Sequence, residues 1–368
     1  MLQATRATRA TRPRTRASLS RSARSRPGTG LAAGAVLTAT LAVSIVVAVG
    51  IGSVTVPIGD VIDVVLRRLG LPADGVTAID DRIVWQLRMP RILGAAATGA
   101  GLALAGAVLQ SLTRNDLADP YLLGISGGAA VGAVSVIVLG VSVAGLVGGA
   151  ALGTAAFVGA LVALVLVLAL ATGRTGDLPP ARTVLAGVAI GQVCAAYTSF
   201  AVMMSGQHDA ARRVLAWTMG SLAGVRWHSA TVLIVVALVA LVGIIAHAGD
   251  LDAFAFGDAS AASLGVSLRR TRWVLLVGTA LLTACLVAYT GAIGFVGLVI
   301  PHVVRLVCGP LHRRLLPLSA LAGAVLMIWA DTAARSLVEG QEIPIGVVTA
   351  VLGAPLFAYL LRRESRSA

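Results

Sequence analysis

The chain of 368 residues contains no lysine: all 29 basic residues are arginine, set against 16 acidic ones. Exclusive arginine usage points to a GC-rich genome. Charge of either sign is scarce, 12% of residues against the ~25% of a soluble domain, so most of this chain faces lipid or other buried segments. Cysteine is scarcer still. Cys194, Cys285 and Cys308 stand far apart in apolar surroundings, which excludes a disulfide framework or a thiolate metal cluster and leaves three buried free thiols. No Walker sequence occurs, so the chain has no P-loop of its own for ATP. Acidic residues are missing from the long apolar runs; Asp331, near the end of its run, is the deepest. An ion-coupled carrier keeps ionisable groups inside its bundle, where they mark the coupling path, and that class loses its main support here. An intramembrane enzyme would want a Ser/His or Asp/Asp pair within the runs, and none is visible.

The first residues carry Arg6, Arg9, Arg12, Arg14, Arg16, Arg21, Arg24 and Arg26 with no acid, interrupted by Pro13 and Pro27. This composition cannot bury a core, so residues 1–30 are expected to be a disordered tail. Binding to nucleic acid or anionic lipid is one reading of it, at about 1 kcal/mol per arginine near an acidic leaflet. The plainer one is a cytoplasmic tail that fixes orientation by the positive-inside rule, and no nucleic-acid partner is expected. The apolar run 31–51 is too long for the core of a cleaved signal peptide.

Apolar runs of about the ~20 residues that cross a bilayer fall at 31–51, 92–112, 123–140, 143–171, 183–204, 229–247, 273–292, 296–309, 315–334 and 344–361. The runs 123–140 and 296–309 are short for a full crossing. An even number of crossings returns both termini to one side. Placing that side in the cytoplasm puts most of the 29 arginines there, as the positive-inside rule asks. The expected organisation is a tail over 1–30, an all-α integral membrane domain over 31–363 with about ten crossings, and a cytoplasmic end over 364–368.

Two stretches stand out. Arg88 to Gly128 reads RMPRILGAAATGAGLALAGAVLQSLTRNDLADPYLLGISGG. Its Gly94, Gly99, Gly101, Ala105 and Gly106 suit close helix approach in lipid, and its flanks read as polar turns. Between the runs 229–247 and 273–292 lies HAGDLDAFAFGDASAASLGVSLRRTR. Here Asp258 is placed to cap a short helix through Ala262, with Gly265 at its end; an ordinary loop is the alternative.

The motifs WQLRMPR (Trp85–Arg91), GAVLQ…RNDLADPYLLGISGGA (Gly106–Ala129), LAGVAIG (Leu185–Gly191), FGDASAASLGV (Phe256–Val266), GAIGFVGLVIPHVVR (Gly291–Arg305), ADTAARSL (Ala330–Leu337) and EIPIGVVTAVLGAPLF (Glu342–Phe357) follow one another in a recognisable order. Together they resemble the permease family of ATP-binding-cassette importers for iron–siderophore chelates, haem and cobalamin. The resemblance covers nearly everything after the tail. It implies a ten-span inverted-repeat bundle of the type II importer fold in the cell membrane, a second permease subunit (identical or homologous), two cytoplasmic ATPase subunits and an extracytoplasmic substrate-binding protein. It also implies that the chain is not itself an enzyme and needs no cofactor.

By the same resemblance Arg88, Arg91 and Arg335 face the binding protein and pair with its carboxylates, as guanidinium forks can. Snorkelling or internal pairing, for instance of Arg335 with Asp331, is the competing reading. Gly257, Asp258, Ala259, Ala262, Ser263, Leu264 and Gly265 fall on the loop that couples such permeases to the ATPase. The chain departs from the family at Ala259, where a glutamate is usual, at Ala262 in place of an arginine, and at Asp116 in place of a proline. His302 has no second imidazole or carboxylate near it in sequence, so a metal site there is not expected. The expectation from sequence is a permease subunit importing an iron–siderophore complex, with cobalamin or haem as the alternative cargo.

Overall fold

The computed structural model describes residues 27–364 except 53, 73–74, 142–145, 147, 175, 207–208 and 339. The arginine-rich tail up to residue 26 and the last four residues of the chain lie outside the described residues.

All regular elements described are helical. In chain order they are α1 (Pro27–Gly50), α2 (Ile58–Arg68), α3 (Ala78–Asp81), a π-helical stretch (Arg82–Arg88), α4 (Met89–Thr113), a 3₁₀ turn (Pro120–Leu123), α5 (Ile125–Leu139), α6 (Gly148–Ala171), α7 (Pro180–Met204), α8 (Ala210–Thr218), α9 (Trp227–Ala246), α10 (Ala248–Phe254), α11 (Asp258–Ser263), α12 (Leu268–Thr290), α13 (Val296–Cys308), α14 (His312–Ser336) and α15 (Ile345–Glu364). Among the described residues seven helical stretches are long and apolar enough to cross a membrane, and α5, α13 and α15 supply three shorter apolar helices. Each apolar run read from the sequence falls on one of these ten.

Burial ranks the helices. The apolar window of the α3–α4 stretch is 83% buried, whereas those of α1, α7 and α9 are 17–22% buried. α4 is therefore the hub, packed against α9, α12, α13 and α14, and the other three turn most of their surface outward. Its glycines allow this. A Cβ on Gly99 would sit 2.1 Å from the Gly323 carbonyl oxygen on α14, and one on Gly106 would sit 1.8 Å from that of Gly297 on α13. Helix backbones in contact gain dispersion where lipid offers no hydrophobic force between helices.

Three features differ from expectation. WQLRMPR is helical, not a polar turn: α3, the π stretch and α4 run on without a break. The cause is Pro90, which has no N–H for the Gln86 carbonyl. The chain widens, and the Met89 N–H bonds back to Val84 O instead. The run 123–140 starts its helix only at Ile125, because Asp119 caps the 3₁₀ turn through Tyr121 N and Gly124 is left-handed at φ 71°. Finally, the short helices α2 and α8 lie between the spans; they are too short and too amphipathic to register as apolar runs.

The breaks after α4 and α12 meet. Tyr121 Oη accepts from Ile293 N at 2.8 Å and donates to Ile293 O at 3.0 Å. Each break joins a long helix to a short one, α4 to α5 and α12 to α13, as expected of paired structural repeats.

Gly106→Ala should lower the midpoint of thermal unfolding in detergent, at a cost of about 1–3 kcal/mol, because the methyl meets backbone that cannot step aside. Gly278→Ala on α12, where a Cβ meets nothing within 4 Å, should leave the midpoint unchanged or raise it. Equal midpoints for the two variants would remove α4–α13 backbone contact as a determinant of stability.

Candidate docking and coupling sites

The last carbonyls of α1 have no partners within their helix. Arg88 supplies them: Nη1 donates to Val49 O at 2.8 Å and to Gly50 O at 3.2 Å, while Nη2 donates to Val54 O. Arg335 Nη2 adds a bond to Ala48 O at 2.6 Å. Between these groups lies Asp331, one helical turn before Arg335 on α14 and only 1% exposed. Arg91 grips it from α4, with Nη2–Oδ1 at 2.9 Å and Nε–Oδ2 at 3.0 Å. A second edge of the same guanidinium holds Glu342, with Nη1–Oε1 at 2.9 Å and Nη2–Oε2 at 3.1 Å. Such paired, charge-assisted bonds are the strong kind.

Arg88, Arg91 and Arg335 thus form one cluster. With Arg226 and Glu342 they line an open pocket of about 460 Å³ at the end of the bundle where α1 and α14 finish and α4 begins. All three have internal partners. Arg335 does approach Asp331, Nε to Oδ2 at 3.7 Å, but the tighter bond is from Arg91. Sequence spacing shows neither that pair nor the one with Glu342, since both bridge distant parts of the chain. The only hint is that Asp331 shares the motif ADTAARSL with Arg335 and that Glu342 opens the next motif, EIPIG.

The opposite end, where α4 finishes, carries α10 and α11. Gly257 adopts φ 92° and opens α11; Gly265 adopts φ 85° and closes it. Gly265 N bonds to Ala262 O at 3.0 Å and Val266 N to Ala261 O at 3.1 Å, the two-bond helix ending that needs a left-handed residue, usually glycine. Asp258 does not cap this helix, contrary to the sequence reading. It is the first helical residue, and its carboxylate turns to Arg272 Nη2 at 2.7 Å, with Arg114 Nη2 at 3.9 Å. A charge pair with α12 outcompetes the local bond to α11's own amides. Ala259, Ala262, Ser263, Leu264 and Gly265 are exposed while Ala261 is buried. Phe256, at 75%, and Leu264, at 68%, are strongly exposed apolar side chains beside this turn.

Sequence reasoning missed the supports behind α11. Asp252 on α10 accepts from His312 N at 2.9 Å and meets His312 Nδ1 at 2.6 Å; Nε2 of the same ring lies 2.5 Å from Ser111 Oγ on α4. These bonds tie α10, α14 and α4 together. Asp116, where the family usually has proline, bonds Arg305 Nη1 at 2.5 Å and lies 3.9 Å from His302 Nδ1. His302 therefore does have a carboxylate neighbour, one that folding supplies. Among the described residues no group of three or more His, Cys, Asp or Glu is placed to hold a metal ion.

An all-helical, multi-span bundle with a charged pocket at one end and a short exposed helical turn at the other defines a membrane permease of the type II importer fold. The chain belongs to the FecCD transport family, whose model matches residues 40–363. It is 44% identical over 300 residues to the cobalamin import system permease of Halobacterium salinarum, covering 80% of this chain and 77% of that one. It is 43% identical over 296 residues to the vitamin B12 import system permease of Salmonella typhimurium, covering 80% and 88%. Among solved structures it is similar to an inward-facing ABC transporter of metal-chelate type, at a TM-score of 0.77 and 31% identity, covering 92% of this chain and all of the other.

Arg91→Gln should destabilise the folded bundle by about 3 kcal/mol, because it strips a buried carboxylate of its best partner. Adding Asp331→Asn should restore much of that loss, as seen by thermal unfolding in detergent. Wild-type stability in the single variant would mean that Arg335 alone satisfies Asp331.

Proposed function

We propose that this chain is the membrane subunit of an ATP-driven cobalamin importer, pairing with a second permease to enclose the pathway. One observation carries the choice of cargo: relatives at 43–44% identity over four-fifths of the chain are cobalamin permeases. The motifs shared across the family do not separate cargoes, which is why the expectation of an iron–siderophore complex gives way here. The chain supplies a path and makes or breaks no covalent bond, so energy comes from two cytoplasmic ATPase subunits. Consistent with this, Asp331, the most deeply placed carboxylate on a span, is occupied by Arg91 and Arg335 and is poorly placed to carry a coupling proton.

In this reading the α10–α11 end lies in the cytoplasm with both termini, and the arginine pocket opens outside the cell membrane. The exposed turn of Gly257, Asp258, Ala259, Ala262, Ser263, Leu264 and Gly265, with Phe256 beside it, seats in the ATPase. The Asp258–Arg272 pair fastens it to α12, so that a push on α11 moves a span. Arg88, Arg91 and Arg335, largely buried and internally paired, give the pocket the positive field toward which an acidic substrate-binding protein docks, and charge complementarity of this kind raises the rate of encounter.

The test is uptake of radiolabelled cyanocobalamin into proteoliposomes holding the permease, its ATPase and its binding protein. Uptake should require ATP on the ATPase side and should resist competition from ferric siderophores. Cobalamin uptake by this chain alone under a proton or sodium gradient, or uptake of ferric siderophore in preference to cobalamin, would overturn the assignment.

A second test addresses the turn. Gly265→Trp should leave the permease inserted yet separate ATP hydrolysis from uptake, since any side chain there is strained at φ 85° and a bulky one obstructs a fitted cleft. Normal transport by the variant with the ATPase bound would exclude α11 as the coupling element.

A further inference from the structure

Arg91 holds two carboxylates of very different exposure. Asp331 is 1% exposed and sits behind it; Glu342 is 49% exposed and sits in front, on the open side of the pocket. Glu342 takes both Nη atoms of the guanidinium, which is the edge an incoming carboxylate would need. A partner's acid therefore cannot grip Arg91 in the geometry of this structure unless Glu342 leaves. Exchange of one carboxylate for another leaves the guanidinium paired throughout, and the buried Asp331 bond is not disturbed.

We propose that Glu342 is a built-in stand-in for a docking partner's carboxylate, and that docking at this pocket proceeds by displacing it. The proposal rests on the docking reading given above and adds an internal competitor to it. Two features make the displacement consequential. Among the described lining residues Arg88, Arg91, Arg226 and Arg335 stand against Glu342 as the one acid, so a displaced Glu342 remains beside four guanidinium groups and can return when the partner departs. Glu342 is also continuous with a backbone strap. Ile343 N bonds to Ala334 O at 2.9 Å, Ile345 N to Gly220 O at 3.1 Å and Gly346 N to Met219 O at 2.9 Å, while Ser221 N bonds to Thr290 O at 2.8 Å. Release of Glu342 thus acts on the start of α15 and, through residues 219–221, on the end of α12. Trp217, Ser221 and Thr290 line a neighbouring cavity of about 800 Å³ that shares Arg226 with the arginine pocket, so occupancy of the arginine pocket is passed to the walls of that second space.

The test measures docking of the substrate-binding protein from the same transport system to the permease–ATPase complex in nanodiscs. Glu342→Gln, an isosteric change at a half-exposed position, should tighten docking about 3- to 10-fold by removing the competitor. The gain should persist at about 0.5 M salt, where long-range charge effects are screened to a few ångströms. In an Arg91→Lys background, which keeps a charge against Asp331 but loses the fork, Glu342→Gln should change docking little, as a double-mutant cycle between contacting groups requires. Glu342→Asp, which retains the charge with a shorter reach, should tighten docking less than Glu342→Gln. Docking unchanged or weakened by Glu342→Gln, while still sensitive to Arg91→Lys, would overturn the stand-in role and leave the docking reading in place. Docking insensitive both to salt and to Arg91→Lys would overturn the docking reading itself, and this proposal with it.

Discussion

Everything in this bundle depends on how closely α4 can be approached. Water drives helices together in soluble proteins, but lipid tails are as apolar as leucine, so in a membrane the gain has to come from contact itself. Gly99 against Gly323 and Gly106 against Gly297 bring backbone onto backbone at two levels of one helix. Only then do α13 and α14 lie near enough for the specific polar bonds to form. Gln110 Nε2 reaches Leu298 O at 3.0 Å across the second of these contacts, and Arg91 reaches Asp331 across the α4–α14 face. The small residues set the distances, and the polar residues then specify one register among those the distances allow.

The two ends of α4 solve similar electrostatic problems differently. At the Arg91 end one nearly inaccessible aspartate gathers two arginines, and the cluster also satisfies the end of α1. At the Arg114 end Asp258 is 41% exposed and shared between Arg272 and Arg114, so the pairing there is partly screened and individually weak. Burial thus grades the pairs: those to Asp331 are costly to break, while the α11 turn and the Arg91–Glu342 contact are held by pairs that solvent can loosen. A part that exchanges partners with another subunit is better served by the second kind.

The hydrophobic runs were legible because ~20 apolar residues in a row have few other uses, and each of the ten fell on a helix. What the runs could not display were features set by single atoms. Pro90 widened a helix where a turn was expected. Asp258 falls one residue inside the cap at Gly257 and turns to Arg272, fourteen residues on, which offers a full charge. The grouping of Arg88, Arg91 and Arg335 followed from motif resemblance, but their partners Asp331 and Glu342 needed the third dimension. Cargo was the least legible property, because the motifs are common to permeases of different cargoes. That distinction came from overall identity to cobalamin permeases.

Tyr121 shows what a single phenol can do at the junction of two broken helices. Its oxygen serves both the amide and the carbonyl of Ile293, and Ile293 itself is 1% exposed, so water is a poor substitute. Phenylalanine at this position would keep the ring and orphan both backbone groups, each at roughly 1–3 kcal/mol. The hydroxyl therefore behaves as a rivet through two plates. Neither helix break can slide past the other without breaking both bonds.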